Sequence, residues 1–330
     1  MLNQVNMNVK WGIIGAGDVT EVKSGPAFQQ VAHSELVAVM RRDAAKAKSY
    51  AERHGVPQWY TDAQQLIDDP EVNAVYIATP PDTHAYYADA ALRAGKPVYL
   101  EKPMTLNAGE AKALMETQQA CDVKLSVAHY RRQQPYFRKV KDLIDGHIGV
   151  PRVANLRYHQ QPLTAEVLQS PGMQWRLNPE QSGGGLFHDL APHQIDLMHY
   201  FFGNIASSSG MARNQAGLYQ AADVVSGQIW FEKGVLFSGQ WAFNVAEKHD
   251  VCEVIGSEGK VSFSIFDYQP IELANGQGTQ RFDFEPLPHV QQPMVAAVVS
   301  YIRGVAPNPC SVQEGYNVMQ VLDNFAGHEG

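Results

Sequence analysis

Short apolar runs alternating with helix-length stretches fill the first 130 residues, and this alternation narrows the choice of fold more than any other feature. The runs are residues 9–14, 36–40, 74–78, 97–100 and 124–128; the helical stretches are 44–54, 63–68, 85–94 and 109–119. Gly55, Gly95 and the pair Asp69-Pro70 stand at their ends, as helix stop signals do. Runs this apolar suit a parallel sheet covered on both faces, which βαβ units build.

After about residue 150 the pattern changes. Residues 153–159 read as extended. Residues 224–231 and 235–243 flank Glu232-Lys233-Gly234, and 251–255 and 260–265 flank Gly256-Ser257-Glu258-Gly259. A third pair, 271–274 and 280–284, flanks Asn275-Gly276-Gln277-Gly278. Repeated hairpins build an antiparallel sheet. Residues 291–303 and 311–325 close the chain with helical periodicity, and no internal repeat is visible. The expected architecture is α/β: an N-terminal Rossmann-type domain with a parallel sheet over 1–130, then an α+β domain with a large, mostly antiparallel sheet over 131–330.

With 330 residues, 45% of them hydrophobic, the chain can bury a sizeable core and is not of disordered type. Its net charge of −8 and lack of a long basic run remove the general attraction to nucleic acid or an anionic membrane. Cys121, Cys252 and Cys310 are far apart, with no CxxC, so neither a disulfide framework nor a thiolate metal site is expected. The stretch 1–10 is polar, and no run approaches the roughly 18 apolar residues of a membrane span. The expectation is a soluble protein of a reducing, cytoplasmic compartment.

Gly15-Ala16-Gly17-Asp18-Val19-Thr20 directly follows the first apolar run. There the first glycine permits a tight turn, the second lets backbone approach a pyrophosphate, and the next helix offers free N–H groups. Thr20 replaces the third small residue of that fingerprint, and Gly25-Pro26 interrupts the expected helix. At the end of the second run, Arg41-Arg42-Asp43 stands where an acidic residue would select NAD(H). Guanidinium suits a 2′-phosphate, so NADP(H) is preferred over NAD(H), with Asp43 as the alternative ribose partner.

Three further segments are Ile77-Ala78-Thr79-Pro80-Pro81-Asp82-Thr83-His84, Glu101-Lys102-Pro103, and Gly183-Gly184-Gly185 followed by Asp189 and His193. With the glycine loop, and in this order, they resemble the glucose–fructose oxidoreductase/inositol dehydrogenase (Gfo/Idh/MocA) family. The resemblance implies that Lys102, Asp189 and His193 form the catalytic group beside a nicotinamide. Those residue types suit hydride transfer at a carbinol carbon, because a proton must leave or reach the adjacent oxygen. Lys102 and His193 would share that acid/base work, with Asp189 orienting them. The bland alternative is an exposed lysine after a strand and a surface pair four residues apart on a helix. Pro192 is comfortable only in a first turn, so the helix is expected to start near Asp189 or to bend there.

By the same resemblance Gly15, Gly17, Asp18, Val19, Arg41, Arg42, Thr79, Pro80, His84, Glu101 and Lys102 would bind the cofactor. His129 and Arg131, at the end of the fifth run, and the pair Trp175-Arg176 would face substrate; core packing is an equal alternative for Trp175. His188, Asp189, His193, Asp196 and His199 do not have metalloprotease spacing, and no metal is expected. The implied activity is NAD(P)-dependent oxidation or reduction of a sugar, polyol, cyclitol or anhydrosugar. It would be carried out by a homodimer or homotetramer joined through the second domain's sheet. The competing classes are a glycosidase using NAD without net redox change, whose longer motif is not seen, and a non-catalytic sensor. The sensor predicts losses among Lys102, Asp189 and His193, yet all three are present.

Overall fold

The structure, a computed structural model, describes residues 7–327; residues 1–6 of the polar N-terminal stretch lie outside the described residues. The chain divides into two compact units. One holds the described residues through Gln134 together with Leu287–Tyr316, and the other holds Pro135–Pro286 and the described residues from Asn317 onward. The sequence division at 130 therefore differs in two respects, the first being that the boundary falls after Gln134. The segment carrying the helix Gln292–Ile302, expected in the second domain, packs with the first unit.

In the first unit β1 (Val9–Ile14), β2 (Ser34–Met40), β3 (Gln58–Tyr60), β4 (Ala74–Ile77), β5 (Val98–Leu100) and β6 (Leu125–Val127) form one sheet. Its order is β3-β2-β1-β4-β5-β6, and every pairing is parallel. Trp11, Ile13, Ile14, Tyr76 and Tyr99 are fully buried, as strands covered on both faces require. Strand order reverses between β1 and β4, and in such sheets ligands bind beyond the carboxyl ends of the strands at that point. The segments after β1, β2, β4 and β5 are those singled out in the sequence. β3 was not legible, since it is a three-residue edge strand with no buried residue.

The expected break in the first helix is present, as separate helices Asp18–Val22 and Gly25–Gln30. A Cβ at residue 25 would lie 2.1 Å from the Thr20 carbonyl oxygen and 2.4 Å from Tyr50 Oη. Glycine is required because Tyr50 reaches through to donate to that same carbonyl at 2.8 Å. The tyrosine thus ties the glycine loop to the helix Ala44–His54.

The second unit is built on eight strands: β7 (Pro151–His159), β8 (Ile205–Arg213), β9 (Val224–Phe231), β10 (Leu236–Ala242), β11 (His249–Gly256), β12 (Gly259–Phe263), β13 (Ile271–Asn275) and β14 (Gly278–Phe282). Their order is β14-β13-β12-β11-β7-β10-β9-β8, antiparallel throughout except for β7 with β10. The three expected hairpins are β9–β10, β11–β12 and β13–β14. One face is covered by the helix Gly185–Phe202, where Trp241 Nε1 donates to Gln194 Oε1 at 2.6 Å.

That helix begins at Gly185 and runs through Pro192, so of the two expectations the start near Asp189 does not hold. Nearly all of its residues are buried, and this packing outweighs the one backbone hydrogen bond a proline forgoes. The helix Pro135–Gly146 and edge strand β8 were not expected; β8 is polar and mostly exposed, without the periodicity that marks a strand. Among the described residues no helix is long and apolar enough to cross a membrane.

Candidate active site

Gly15 has φ of +93°, and a Cβ there would lie 2.7 Å from the Thr79 nitrogen. The first glycine is thus fixed by the close approach of the loop to the end of β4. Nothing lies within 3.8 Å of a Cβ placed on Gly17, so the second glycine faces open space that a side chain would fill. Thr20 has a function of its own: its hydroxyl accepts from Gly17 N at 2.9 Å and donates to Gly17 O at 2.8 Å, closing the loop in place of a third glycine. Asp18 is exposed and Val19 half-buried. Arg41 Nη1 donates to the Ala16 carbonyl at 3.1 Å, which holds its guanidinium across the loop; Arg42 is exposed. Asp43 caps the next helix by accepting from Lys46 N at 3.1 Å. These residues fit a dinucleotide: an open glycine turn for the pyrophosphate and two guanidinium groups after β2.

Glu21, on the first turn after the loop, accepts from both terminal nitrogens of Arg53 at 2.7 Å and lies 2.8 Å from His54 Nε2. The hydrogen bonds from Arg53, with His54 assisting against burial, hold its carboxyl at about 2. A depressed folded-state value contributes stability above the unfolded value and loses it as pH falls toward the folded one. Glu21→Gln is therefore expected to melt lower than wild type at pH 6. The difference should close as pH falls from about 4.5 toward 2, which paired thermal melts at stepped pH measure. A difference that does not change with pH would contradict the assignment.

Beyond β5, Glu101 is 6% exposed and its carboxylate is fully engaged. Oε1 accepts from Tyr76 Oη at 2.5 Å and from Gln291 Nε2 at 2.6 Å, and Oε2 accepts from the Lys102 backbone nitrogen at 3.1 Å. Burial, and then Glu101, push the phenols of Tyr76 and Tyr99 well above 10, so both remain neutral donors. Lys102 itself is half-buried, as are Thr79 and Pro80. His84 is 1% exposed, its Nδ1 lying 2.9 Å from the Pro103 carbonyl and its Nε2 2.7 Å from the Thr79 carbonyl. Burial lowers its pKa while the two carbonyls oppose the shift. The imidazole braces the segments after β4 and β5.

In the second unit the glycine run is dictated by packing. A Cβ on Gly184 would lie 2.0 Å from His188 Nδ1, and one on Gly185, at φ +73°, would lie 2.4 Å from the Ala221 Cβ. Asp189 and His193 are one turn apart on the helix that follows. Asp189 Oδ2 lies 3.5 Å from Arg176 Nε, and the Arg176 guanidinium sits 4.4 Å from the centre of the Trp175 ring. Trp175, Arg176 and Asp189 thus form one half-buried group. His193 is 5% exposed, with the Phe266 ring 5.8 Å away at 77°. Asp250 holds the segment carrying Phe266, accepting from Ile265 N at 3.0 Å, Phe266 N at 2.5 Å and Asp267 N at 2.9 Å. Burial pushes the Asp250 carboxyl up, and these N–H donors oppose the shift.

Sequence reading missed Tyr76, Tyr99 and Gln291 around Glu101, Phe266 beside His193, and Asp250, which holds the Phe266 backbone. The one local hint was a glutamate directly before the lysine, since a carboxylate at a buried strand end needs donors. His129 and Arg131 are buried, at 1% and 7% exposure. Lys102, His129 and Arg131 belong to the first unit, and Trp175, Arg176, Asp189 and His193 to the second. Among the described residues no group of three or more His, Cys, Asp or Glu is arranged to hold a metal ion.

Two family models decide the relationship. That of an oxidoreductase family with an NAD-binding Rossmann fold matches residues 9–129, and that of the GFO/IDH/MocA C-terminal domain matches residues 137–262. The chain belongs to the Gfo/Idh/MocA family. Like the family, it is an NAD(P)-dependent oxidoreductase. An oxidoreductase from Formosa agariphila is 44% identical over 97% of this chain and 98% of its own length. The 1,5-anhydro-D-fructose reductase of Ensifer adhaerens is 27% identical over 93% and 92%. A levoglucosan dehydrogenase solved with NADH and levoglucosan superposes with a TM-score of 0.86 at 22% identity, covering 98% of this chain and 97% of that one. This last likeness shows that the Gfo/Idh/MocA fold is shared.

Proposed function

We propose that this Gfo/Idh/MocA protein prefers NADP(H). In this reading it moves a hydride between the nicotinamide and a carbinol or carbonyl carbon of a sugar, polyol, cyclitol or anhydrosugar. The observation that carries the reading is the fixed Lys102 main chain, tethered through its own N–H to a buried, fully engaged Glu101 beyond β5. Relatives named as an anhydrofructose reductase and inositol dehydrogenases support the substrate class.

The bound nicotinamide would supply or accept the hydride. In the oxidative direction the hydroxyl proton must leave as the carbon gives up its hydride. His193 and Lys102 take the acid/base roles, and Asp189 orients them. Arg176 offsets the charge of Asp189, and Trp175 offers an aromatic face suited to a sugar ring. His129 and Arg131 complete the substrate group. Glu101 acts on the cofactor side by fixing Lys102, together with Thr79, Pro80 and His84, while Gly15, Gly17, Asp18 and Val19 receive the pyrophosphate.

Arg41 and Arg42 carry the NADP(H) preference. Replacing both by alanine is expected to weaken NADPH binding about 10- to 100-fold, the worth of one or two charge-assisted hydrogen bonds. NADH affinity should change far less, and fluorescence titration of both cofactors measures the contrast. Equal losses for the two would place the arginines elsewhere. The reading includes a cytoplasmic location and a homodimer or homotetramer joined through the face of the second unit's sheet that presents Asn155, Arg157, Gln228 and Trp230. Light scattering giving the mass of a single chain would contradict the assembly.

A further inference from the structure

We infer that Gln291 is a positioning residue for Lys102, acting through the Glu101 carboxylate; the inference rests on the acid/base reading of Lys102. The two oxygens of Glu101 have different tasks. Oε1 is the anchor, receiving Tyr76 Oη at 2.5 Å and Gln291 Nε2 at 2.6 Å. Oε2 is the holder, receiving the backbone N–H of Lys102 at 3.1 Å. On the far side of the lysine, the Pro103 carbonyl meets His84 Nδ1 at 2.9 Å. The main chain is therefore fixed before and after Lys102, and the first of these fixings depends on how firmly Oε1 is held.

Gln291 is itself immobilised. It is 1% exposed, its Oε1 accepts from Tyr99 Oη at 3.0 Å, and its backbone N–H donates to the Lys23 carbonyl at 3.3 Å. The adjacent Val290 carbonyl accepts from Gln134 Nε2 at 3.0 Å. The side-chain amide thus has one acceptor and one donor partner in fixed places and cannot turn away from Glu101. It comes from the segment that rejoins the first unit after the large sheet, 190 residues beyond Glu101.

A buried carboxylate that loses a donor is left short of solvation. Without the Gln291 amide, Oε1 keeps only the Tyr76 phenol. The carboxylate is then free to turn about its remaining contacts. That movement slackens the tether on the lysine's backbone. The lysine loses its place.

The test uses full-length Gln291→Met, which keeps length and removes the amide, and Tyr76→Phe, which removes the other Oε1 donor. The primary readout needs no cofactor: acetylation of Lys102 by an N-hydroxysuccinimide ester, followed by peptide mass spectrometry with exposed Lys112 as internal reference. Lys102 labelling is expected to change several-fold relative to Lys112 in both variants, because the side chain leaves its fixed place. In steady-state assays kcat should fall about tenfold with KM little changed, as loss of orientation implies. Adding Gln291→Met to Lys102→Met should produce no further loss. Unchanged Lys102 labelling and kcat in a folded Gln291→Met protein would overturn the inference. So would an additive loss in the double variant, which marks a purely structural role. If Gln291→Met does not fold, unchanged labelling in Tyr76→Phe overturns it equally. Undiminished turnover by Lys102→Met is a separate result, removing the acid/base reading and this role with it.

Discussion

Turnover by Lys102→Met and by His193→Asn proteins is expected to fall about 10²- to 10⁴-fold, the range that general acid–base catalysis contributes. Melting temperature should stay close to wild type, and both proteins should still bind NADPH. Lys102 is tethered through its backbone N–H, which methionine retains, so the Glu101 network should survive the substitution. His193 is 5% exposed beside Phe266, and asparagine keeps a polar side chain of smaller size in the same helix. The kinetic loss should lie in kcat, because the proton is in transit only in the transition state. Steady-state kinetics, thermal melting and NADPH titration together separate this outcome from unfolding. A loss below tenfold in either folded variant would remove that residue from the chemistry.

The second large effect falls on the support beneath His193. Asp250→Leu is expected to cost about 3–5 kcal/mol of stability, because it strands several N–H groups whose acceptor was a buried carboxylate. Ile265, Phe266 and Asp267 all lose their partner, and Phe266 is the residue whose ring lies against His193. Asp250→Asn keeps one acceptor oxygen and should cost only about 1–2 kcal/mol. Urea unfolding of the two proteins beside wild type measures the contrast. Equal and small losses for both would show that the Ile265–Asp267 backbone is held by something other than the carboxylate.

Local pattern made much of the fold legible. The apolar runs at 9–14, 74–78 and 97–100 became β1, β4 and β5, because a parallel strand buried on both faces has to be continuously apolar. The hairpins were marked by their glycine-bearing turns. Edge strands β3 and β8 were not marked, since an edge with exposed faces has little need of apolar periodicity. Of the two expectations drawn from Pro192, the start near Asp189 fails because a proline rule describes local cost, while burial along Gly185–Phe202 is a tertiary gain. At the site, the glycine turn stood out because backbone chemistry imposes its spacing, and the Glu101-Lys102-Pro103 segment because it resembles a segment of the family. Gln291 did not, because no spacing rule connects a strand end with a residue 190 positions later. Asp250 lay hidden for the same reason, as its partners are backbone groups that any sequence supplies.

The most direct test of the central claim is the appearance of reduced nicotinamide by absorbance, with NADP and NAD in parallel, across polyols, cyclitols, aldoses and anhydrosugars. Lys102→Met and His193→Asn proteins run alongside. The expected result is turnover of at least one polyhydroxylated substrate, faster with NADP, that both substitutions lower by about 10²-fold or more. Tight cofactor binding without any turnover in either direction, or cleavage of a glycosidic bond without net reduction, would contradict the account.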